Sequence, residues 1–370
     1  MKILVATGIY PPSIGGPATH ARLVETELPK RGIDVTVLSF DLVRPLPKII
    51  RHIVYAWRLF RLRKSGDVIY TLDPVSVGLP ALIVSKISGR KLILRVGGDY
   101  AWEQGVARFG VTDVLDDFVK KNNYRLPVRL LKFVQGLVAR GAAKVVVPSR
   151  YLAGIVSNWG VNPEKIVTIY NSYGDDVSKN LDKNELHQKL GLTGKVVITA
   201  GRFVKWKGFR TLITLVKDMA QDYKLFIAGS GPEEENLKKL VDDYKINNRV
   251  SFLGDLNKRE LSEYMAAADV FVLNTNYEGL SHIILEVLSL GTPVVTTNVG
   301  GNPEIIENEI NGLLVNYDDA EALRASIDKI LADESLRNRI IANGLKTSAK
   351  FTKEKTVNAV ANFLKENAQK

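Results

Sequence analysis

The stretch NTNYEGLSHIILEVLSLGTPVVTTNVGGNP, Asn274–Pro303, predicts a loop, a helix, a short buried strand and a second glycine-rich loop. It follows an apolar strand predicted over Asp269–Leu273. A loop that leaves a strand and opens a helix offers free N–H groups and the positive end of the helix dipole, which suits a phosphate group. Glu278 and Glu286 lie eight residues apart, a little over two helical turns, so both can point at one crevice. Taken alone, such a pair is more typical of solvated or helix-capping carboxylates than of a site.

Length and composition bound the fold and the chemistry. At 370 residues the chain is long enough for two domains, and 45% hydrophobic with 25% charged residues is typical of a globular protein. The chain has no cysteine, which excludes disulfides, thiolate metal sites and cysteine nucleophiles. Its four histidines form no metal-binding spacing such as H-E-x-x-H. The start MKILVATG carries no secretory signal, and no apolar run approaches the ~20 residues that span a bilayer. We therefore expect a cytoplasmic protein.

Charge is distributed unevenly along the chain. The formal net charge is +11, and residues 1–180 hold 26 Lys and Arg against 14 Asp and Glu. The basic character therefore belongs to the N-terminal half alone. Such an asymmetry predicts an anionic surface partner for that half.

Short apolar runs alternate with segments long enough for helices, which is typical of a doubly wound parallel sheet. The series begins with Lys2–Thr7, followed by a loop containing Gly15 and Gly16 and by a helix predicted at Ala18–Leu28. It restarts after the polar stretch Asn171–Asn184. We therefore predict an α/β fold with two Rossmann-like domains, 1–175 and 185–350, and a C-terminal helix, 351–370, that packs back on the first domain.

A second loop, GRFVKWKG at Gly201–Gly208, directly follows the predicted strand Lys195–Ala200. Arg202 and Lys207 suit a diphosphate, since an arginine can fork onto two oxygens and a lysine supplies a point charge. The alternative is a pair of solvated surface cations. The chain contains neither a complete G-x-G-x-x-G nor a G-x-x-x-x-G-K-[ST] sequence, which disfavours a dinucleotide dehydrogenase and a P-loop kinase.

The ordered set Gly15-Gly16, G-R-x4-K-G, E-G-x-S-x4-E-x4-G-x-P-V-V and G-G-x-x-E resembles the family-4 retaining glycosyltransferases (group 1 type) of the GT-B fold over nearly the whole chain. This resemblance implies two Rossmann-like domains facing each other across a cleft. It also implies transfer of a hexosyl unit, with retention, from a UDP- or GDP-sugar to a saccharide or lipid-linked acceptor in cell-surface glycan biosynthesis. No D-x-D triplet occurs, and the resemblance implies a metal-independent enzyme without a cofactor.

The resemblance also assigns roles to individual residues. Arg202 and Lys207 would hold the donor diphosphate and stabilise the leaving nucleotide. Glu286 would bind the ribose hydroxyls, and Glu278 would organise the donor sugar. Backbone groups would complete the donor site: Gly279, Leu280 and Ser281 at sugar or phosphate, Gly15 and Gly16 at the phosphates from the other domain, and Gly254 beside the base.

The chain departs from the family pattern after the strand Lys91–Val96. Many relatives carry a histidine there, whereas this chain reads RVGGDYAWE, with Gly97 in that place. We expect Asp99 to approach the sugar or the acceptor as a catalytic residue; the alternative is a turn or helix cap. Arg95 and Glu103 are weaker candidates in this region, and His282 has at most a minor supporting role.

The segment Arg44–Lys64 holds seven Lys and Arg and no acidic residue. It predicts a basic amphipathic helix from near Pro47, with Ile49, Ile53, Trp57 and Phe60 on its apolar side. Either the apolar side packs on the sheet while the cations are solvated, or the helix contacts anionic lipid. On the second interpretation the protein attaches peripherally to the inner face of the membrane.

Two other functions are compatible with the sequence. One is a nucleotide-sugar epimerase of the same architecture, which needs no acceptor. The other is a non-catalytic lipid- or nucleic-acid-binding protein that uses the basic half. A simple binder has no need for separate phosphate and ribose groups in the near-neutral half, so we expect a transferase that binds no nucleic acid.

Overall fold

The computed structural model describes residues 1–13, 15–173 and 182–368. The described chain forms two compact units. The first contains Met1–Tyr170 and Glu354–Lys370, and the second contains Asn171–Lys353. Most of the predicted interdomain stretch Asn171–Asn184, including the expected boundary at residue 175, lies outside the described residues.

Six parallel strands form the sheet of the first unit, in the spatial order β2-β1-β3-β4-β5-β6. They are β1 (Lys2–Thr7), β2 (Asp34–Ser39), β3 (Val68–Thr71), β4 (Lys91–Arg95), β5 (Lys144–Val147) and β6 (Ile166–Thr168). The inner strands are runs of buried apolar residues, as expected for strands covered on both faces. The sequence analysis does not predict β6, because a strand of only three residues is shorter than the roughly 4–8 residues that indicate a strand.

Seven helices connect these strands. They are α1 (Gly16–Glu27), α2 (Lys48–Arg61), α3 (Gly78–Ser88), α4 (Tyr100–Arg108), α5 (Leu115–Lys120), α6 (Leu126–Gly141) and α7 (Arg150–Ser157). Strand β2 lies on one side of β1, and β3 to β6 follow in order on the other side. Because crossover connections are right-handed, α1 lies on one face and α2, α3, α6 and α7 lie on the other. On that second face α3 packs against both α2 and α6.

The sheet of the second unit also has six parallel strands, in the order β12-β11-β10-β7-β8-β9. The strands are β7 (Lys195–Ala200), β8 (Tyr223–Ala228), β9 (Val250–Gly254), β10 (Val270–Leu273), β11 (Val294–Thr297) and β12 (Leu313–Val315). The helices are α8 (Lys183–Leu190), α9 (Phe209–Asp218), α10 (Glu234–Asp243), α11 (Lys258–Ala267), α12 (His282–Ser289), α13 (Ala320–Ala332) and α14 (Glu334–Ser348). These two doubly wound sheets confirm the predicted α/β class.

The last helix, α15 (Lys353–Ala368), belongs mainly to the first unit. Its residues Val357, Val360 and Leu364 join the apolar core that contains Ile3 of β1. Thr356 Oγ1 also donates a hydrogen bond to Tyr170 O at 3.0 Å. The chain therefore returns to its first unit after completing the second.

Each sheet has one point where the strand order reverses. In the first unit it lies between β1 and β3, and in the second it lies between β7 and β10. Loops that leave such a pair of strands diverge to opposite faces of the sheet and open a crevice at the carboxyl ends, the usual ligand position in this type of fold. Both loops that carry the predicted donor residues, 201–208 and 274–281, leave this pair in the second unit.

Candidate functional site

Hydrogen bonds fasten the loop after β7 to the loop after β10. Asn276 N donates to Trp206 O at 2.8 Å, and Asn274 Nδ2 donates to Gly208 O at 3.2 Å. Asp318 supports this junction, since its Oδ1 accepts from Asn274 Nδ2 at 3.0 Å and its N donates to Asn274 Oδ1 at 3.1 Å. The two predicted loops therefore form one continuous structure, held by Asn274 and Asp318, which the sequence analysis did not single out.

Gly208 allows this close approach. Its φ of 43° lies in the left-handed region, where a Cβ is unfavourable. A Cβ at this position would also collide with the side-chain amide of Asn274. A glycine is therefore required where the loop after β7 turns into α9.

Lys207 and Glu278 meet in an ion pair across this junction. Their side chains are only 16% and 15% exposed. The Lys207 side chain also passes over Gly201, where a Cβ would lie 3.9 Å from its Nζ. Arg202 is exposed on the same loop. Two of the residues predicted to act together, Lys207 and Glu278, are therefore in direct contact, with a second cation on the same loop.

The second glycine loop determines how Glu278 is held. Gly301 N donates to Glu278 O at 2.9 Å. A Cβ at Gly300 or Gly301 would collide with the carbonyl oxygens of Glu278 and Gly279 respectively. The G-G-x-x-E sequence thus supplies the close backbone contact that fixes the loop carrying Glu278.

The loop from Glu278 ends at the N-terminus of α12. Ser281 caps this helix, its Oγ accepting from Ile284 N at 3.5 Å. Gly279 and Leu280 are buried, and His282 Nδ1 contacts Ser172 O at 2.9 Å. The positive end of the α12 dipole therefore lies beside the ion pair, and the His282 ring is engaged by a backbone carbonyl.

Two predicted donor residues lie on other elements of the second unit. Glu286 is in the second turn of α12, its side chain 17% exposed and 3.9 Å from Lys258 Nζ at the start of α11. Gly254 ends β9 with a φ of 65°, and its carbonyl accepts from Gly229 N at 2.7 Å. Their assignments to ribose and base stay predictions.

In the first unit, Gly15 and Gly16 lie at the start of α1, beside the reversal point of that sheet. Gly15 has a φ of 151° and a Cβ there would come within 2.9 Å of Ile9 Cδ1. On the neighbouring β3 loop, Asp73 Oδ1 accepts from Val75 N at 2.6 Å and from Ser76 N at 2.7 Å. Burial raises the pKa of Asp73, opposed by these hydrogen bonds. The assignment of Gly15 and Gly16 to donor phosphates stays a prediction.

Asp99 is fully buried and caps α4. Its carboxylate accepts from Trp102 N at 2.9 Å, from Gln135 Nε2 at 3.1 Å and from Trp159 Nε1 at 3.2 Å. Burial raises the pKa of Asp99, and these hydrogen bonds oppose the shift. The environment is the helix cap that the sequence offers as an alternative, and direct contact with a sugar or an acceptor stays a prediction.

The weaker candidates near Asp99 differ in setting. Arg95 is buried at the end of β4, where burial lowers its pKa and Tyr70 opposes the shift. Tyr70 OH also lies 3.0 Å from His20 Nε2. Glu103 is half-buried in the first turn of α4. Arg95 thus belongs to a buried network inside the first unit.

Helix α2 exposes its apolar side. Ile49, Ile53 and Trp57 are 76%, 63% and 55% exposed, and Phe60, the fourth residue of this side, is half-buried. Tyr55 and Leu59 face the core. The sequence allowed two orientations, and the structure excludes the one in which the apolar side packs on the sheet. Within the described ranges, no helix is long and apolar enough to cross a membrane. No group of three or more His, Asp or Glu in the described part of the chain is arranged to hold a metal ion.

Two family models match consecutive parts of the chain and identify its family. Residues 14–174 match the family model described as Glycosyltransferase Family 4, and residues 182–347 match the model described as Glycosyl transferases group 1. The chain belongs to the family-4, group 1 glycosyltransferases. This membership confirms the resemblance in its motifs and agrees with the two Rossmann-like units.

Two curated relatives show the extent of the similarity. The lipopolysaccharide core biosynthesis glycosyltransferase LpsE of Rhizobium meliloti (strain 1021) is 39% identical over 170 residues, 46% of this chain and 49% of the relative. The chain thus matches about half the length of this relative and of the similar LpsD. An uncharacterised glycosyltransferase of Methanocaldococcus jannaschii is 27% identical over 94% of this chain and 93% of its own length.

Solved structures agree on the fold. Anabaena Alr3699/HepE in complex with UDP-glucose has 21% identity and a TM-score of 0.78, covering 99% of this chain and 100% of that one. At this identity the similarity establishes the GT-B fold of this group 1 glycosyltransferase and nothing finer.

Proposed function

We propose that this protein is a retaining hexosyltransferase that uses a UDP- or GDP-sugar and a saccharide or lipid-linked acceptor. The observation that carries the proposal is the junction at the β7/β10 reversal point, where Lys207, Glu278 and the N-terminus of α12 come together. Two relatives support the choice of substrates. LpsE is named for lipopolysaccharide core biosynthesis, and HepE was crystallised with UDP-glucose.

The proposed chemistry follows from charge. As the glycosidic bond to the nucleotide breaks, negative charge grows on the diphosphate while the sugar becomes oxocarbenium-like. Lys207, exposed Arg202 and the α12 N–H groups stabilise that charge, and no metal is required. Glu278 holds Lys207 before the donor binds and then organises the sugar hydroxyls. Glu286 binds the ribose.

Activity is tested by nucleotide release from purified protein with a panel of UDP- and GDP-sugars. Wild type should release nucleotide slowly without an acceptor and faster with one, and Arg202→Gln should lower the rate roughly a hundredfold, since one charge-stabilising group is worth about 3 kcal/mol. Full activity with EDTA would support metal independence. Proton NMR of the product anomer tests retention. Sugar interconversion without an acceptor would establish an epimerase, and nucleotide release at background level would exclude an enzyme of this class.

We also propose that the first unit attaches to an anionic membrane surface through Arg44–Lys64, at the inner face of the cell membrane. The exposed apolar side of α2, which has Arg58 and Arg61 in its last turn, supports this attachment. Sedimentation with anionic vesicles at low salt tests it. Replacing Ile53 and Trp57 by serine should release the protein from vesicles, and wild type that fails to sediment would contradict the proposal.

A further inference from the structure

A cationic cavity of about 380 Å³ opens beside α6 in the first unit. Its lining includes three cations and the indole of Trp159: Arg129, Lys132, Arg140 and Trp159. No acidic side chain lines it among the described residues. None of the donor-site residues belongs to this cavity, which is built entirely from the first unit.

The two arginines have hydrogen-bonding capacity left for a ligand, and Lys132 contributes mainly its charge. Lys132 Nζ donates to Phe118 O at 2.7 Å and to Lys121 O, which uses two of its three N–H groups. Arg140 Nη1 donates to Trp159 O at 2.6 Å, which uses one of its five. In the described part of the chain, Arg129, Lys132 and Arg140 form no ion pair with a carboxylate.

Asp99 accepts hydrogen bonds from two side chains that line the cationic cavity, Gln135 and Trp159. Gln135 Nε2 donates to both Asp99 oxygens at 3.1 Å, and Trp159 Nε1 donates at 3.2 Å. Gln135 Oε1 accepts from Ala101 N at 3.0 Å, so its amide orientation is fixed from both ends. Three cations against one buried carboxylate leave the cavity net positive. The buried acid therefore orients two lining side chains from behind.

An exposed apolar row runs along the same helix. The α6 apolar row consists of Leu126, Leu130, Phe133 and Leu137, which are 74%, 58%, 58% and 38% exposed. At ~100° per residue these four side chains form one stripe, opposite buried Val128 and Gln135. Phe133 belongs to this row and also lines the cationic cavity. Polar and apolar surfaces thus adjoin at one residue.

The apolar row continues onto neighbouring helices. Ile83 and Ile87 of α3 are 48% and 68% exposed, and α3 packs between α6 and α2. The second unit has the same type of fold, yet among its described residues only Ile310 and Leu345 are exposed large hydrophobics. The exposed apolar surface is therefore a property of this helical layer and not of the fold type.

We infer that the cationic cavity binds the phosphate group of an amphiphilic molecule whose hydrocarbon chain lies along the α6 apolar row. A phosphate offers several oxygens to Arg129 and Arg140, and guanidinium groups match them with paired N–H donors. Lys132 adds a point charge from the side. The hydrocarbon chain covers Phe133 and Leu130, which are otherwise exposed to water. This site is separate from the donor site and holds the ligand without a nucleotide sugar.

Calorimetric titration of the whole protein, with no nucleotide sugar present, tests the inference. The ligands are dihexanoyl phosphatidic acid, dihexanoyl phosphatidylcholine with the same chains, and inorganic phosphate. Wild type should bind phosphatidic acid and not phosphatidylcholine, because choline neutralises the phosphate charge. Inorganic phosphate should bind more weakly and compete with phosphatidic acid. Wild type that treats the two lipids alike overturns the inference.

Matched variants locate the site. R129Q/R140Q should weaken phosphatidic acid binding by roughly tenfold or more, since a hydrogen bond to a charged group is typically worth that factor. The control R125Q/K86Q removes two exposed cations outside the cavity, one at the N-cap of α6 and one in α3, and it should change binding less than about threefold. Equal binding by the two double variants overturns the inference.

A third variant separates lipid from free phosphate. L130S should weaken phosphatidic acid binding and leave inorganic phosphate binding unchanged, because Leu130 contacts only the hydrocarbon chain. If L130S binds both ligands like wild type, the cavity binds free phosphate and the proposal of an amphiphilic ligand is wrong. Circular dichroism and unchanged nucleotide affinity verify that each variant is folded. Because no donor is used, failure here leaves the proposed transfer activity untouched.

Discussion

Replacing Lys207 by methionine should weaken nucleotide binding, whereas replacing Glu278 by glutamine should leave it unchanged or tighten it. The two side chains form an ion pair in which Lys207 is 16% and Glu278 is 15% exposed. A nucleoside diphosphate must compete with Glu278 for the Lys207 ammonium, and it also meets the carboxylate's negative charge. Lys207→Met removes a charge-assisted contact, whereas Glu278→Gln removes a competitor.

The magnitudes follow from the setting of the pair. Loss of a hydrogen bond to a charged group costs about 1.5–3 kcal/mol, so Lys207→Met should weaken UDP or GDP binding roughly 10- to 150-fold. Glu278→Gln should leave the affinity unchanged or tighten it by up to roughly fivefold, about 1 kcal/mol. The double variant should bind like Lys207→Met, because the competitor matters only when the lysine is present.

Calorimetric titration with UDP and GDP measures these affinities, and thermal unfolding of the same proteins supplies an independent reading. Lys207→Met leaves a largely buried carboxylate without its cation, so it should be less stable than the double variant. Equal loss of nucleotide affinity in Lys207→Met and Glu278→Gln would refute this reasoning. It would mean that Glu278 contacts the nucleotide directly.

Three further predictions concern other parts of the chain. Gly208→Ala should lower the unfolding free energy by at least about 1–2 kcal/mol, the cost of a left-handed residue with a Cβ, and it should weaken nucleotide binding. Gly154→Ala, in α7 and with no atom within 4 Å of its Cβ, is the matched control and should do neither. Asp99→Asn should lower the unfolding free energy by about 1–3 kcal/mol in chemical denaturation, because the Asn amide N–H groups would face the Trp159 or Gln135 donor. A large loss of turnover at unchanged stability would instead support a catalytic Asp99. Burial raises the pKa of Asp99 in the folded protein, so the wild type loses stability as pH rises from the unfolded-state pKa to the folded-state pKa of this group. The loss of unfolding free energy in Asp99→Asn should therefore be larger in acid than at neutral pH. A loss that does not change between pH 3 and 7 would contradict a raised pKa.

The fold was largely predictable from the sequence because the strands are short apolar runs between glycine-rich loops. Lys2–Thr7 and Lys195–Ala200 were predicted with their observed bounds. The half-buried Ile166–Thr168 was missed, since three residues are too few to be told from a loop by their pattern. The order of strands in each sheet, and hence the reversal point between β7 and β10, is set by long-range packing that no local pattern encodes.

The sequence singled out candidate site residues but did not indicate the contacts between them. The loops carrying Lys207 and Glu278 were identified, but the ion pair between them was not, because the two residues are 71 positions apart. Asn274 and Asp318 were missed since an isolated amide and an isolated acid resemble any loop residue. The sequence also left open which side of α2 faces water, and the structure answers that the apolar side does.

A crystal structure of the complex with a nucleoside diphosphate tests the central claim most directly. The account predicts diphosphate oxygens within hydrogen-bond distance of Lys207 Nζ and the Arg202 guanidinium, beside the N-terminus of α12, with the Lys207–Glu278 pair opened. A nucleotide bound elsewhere in the second unit, with that ion pair intact, would contradict it.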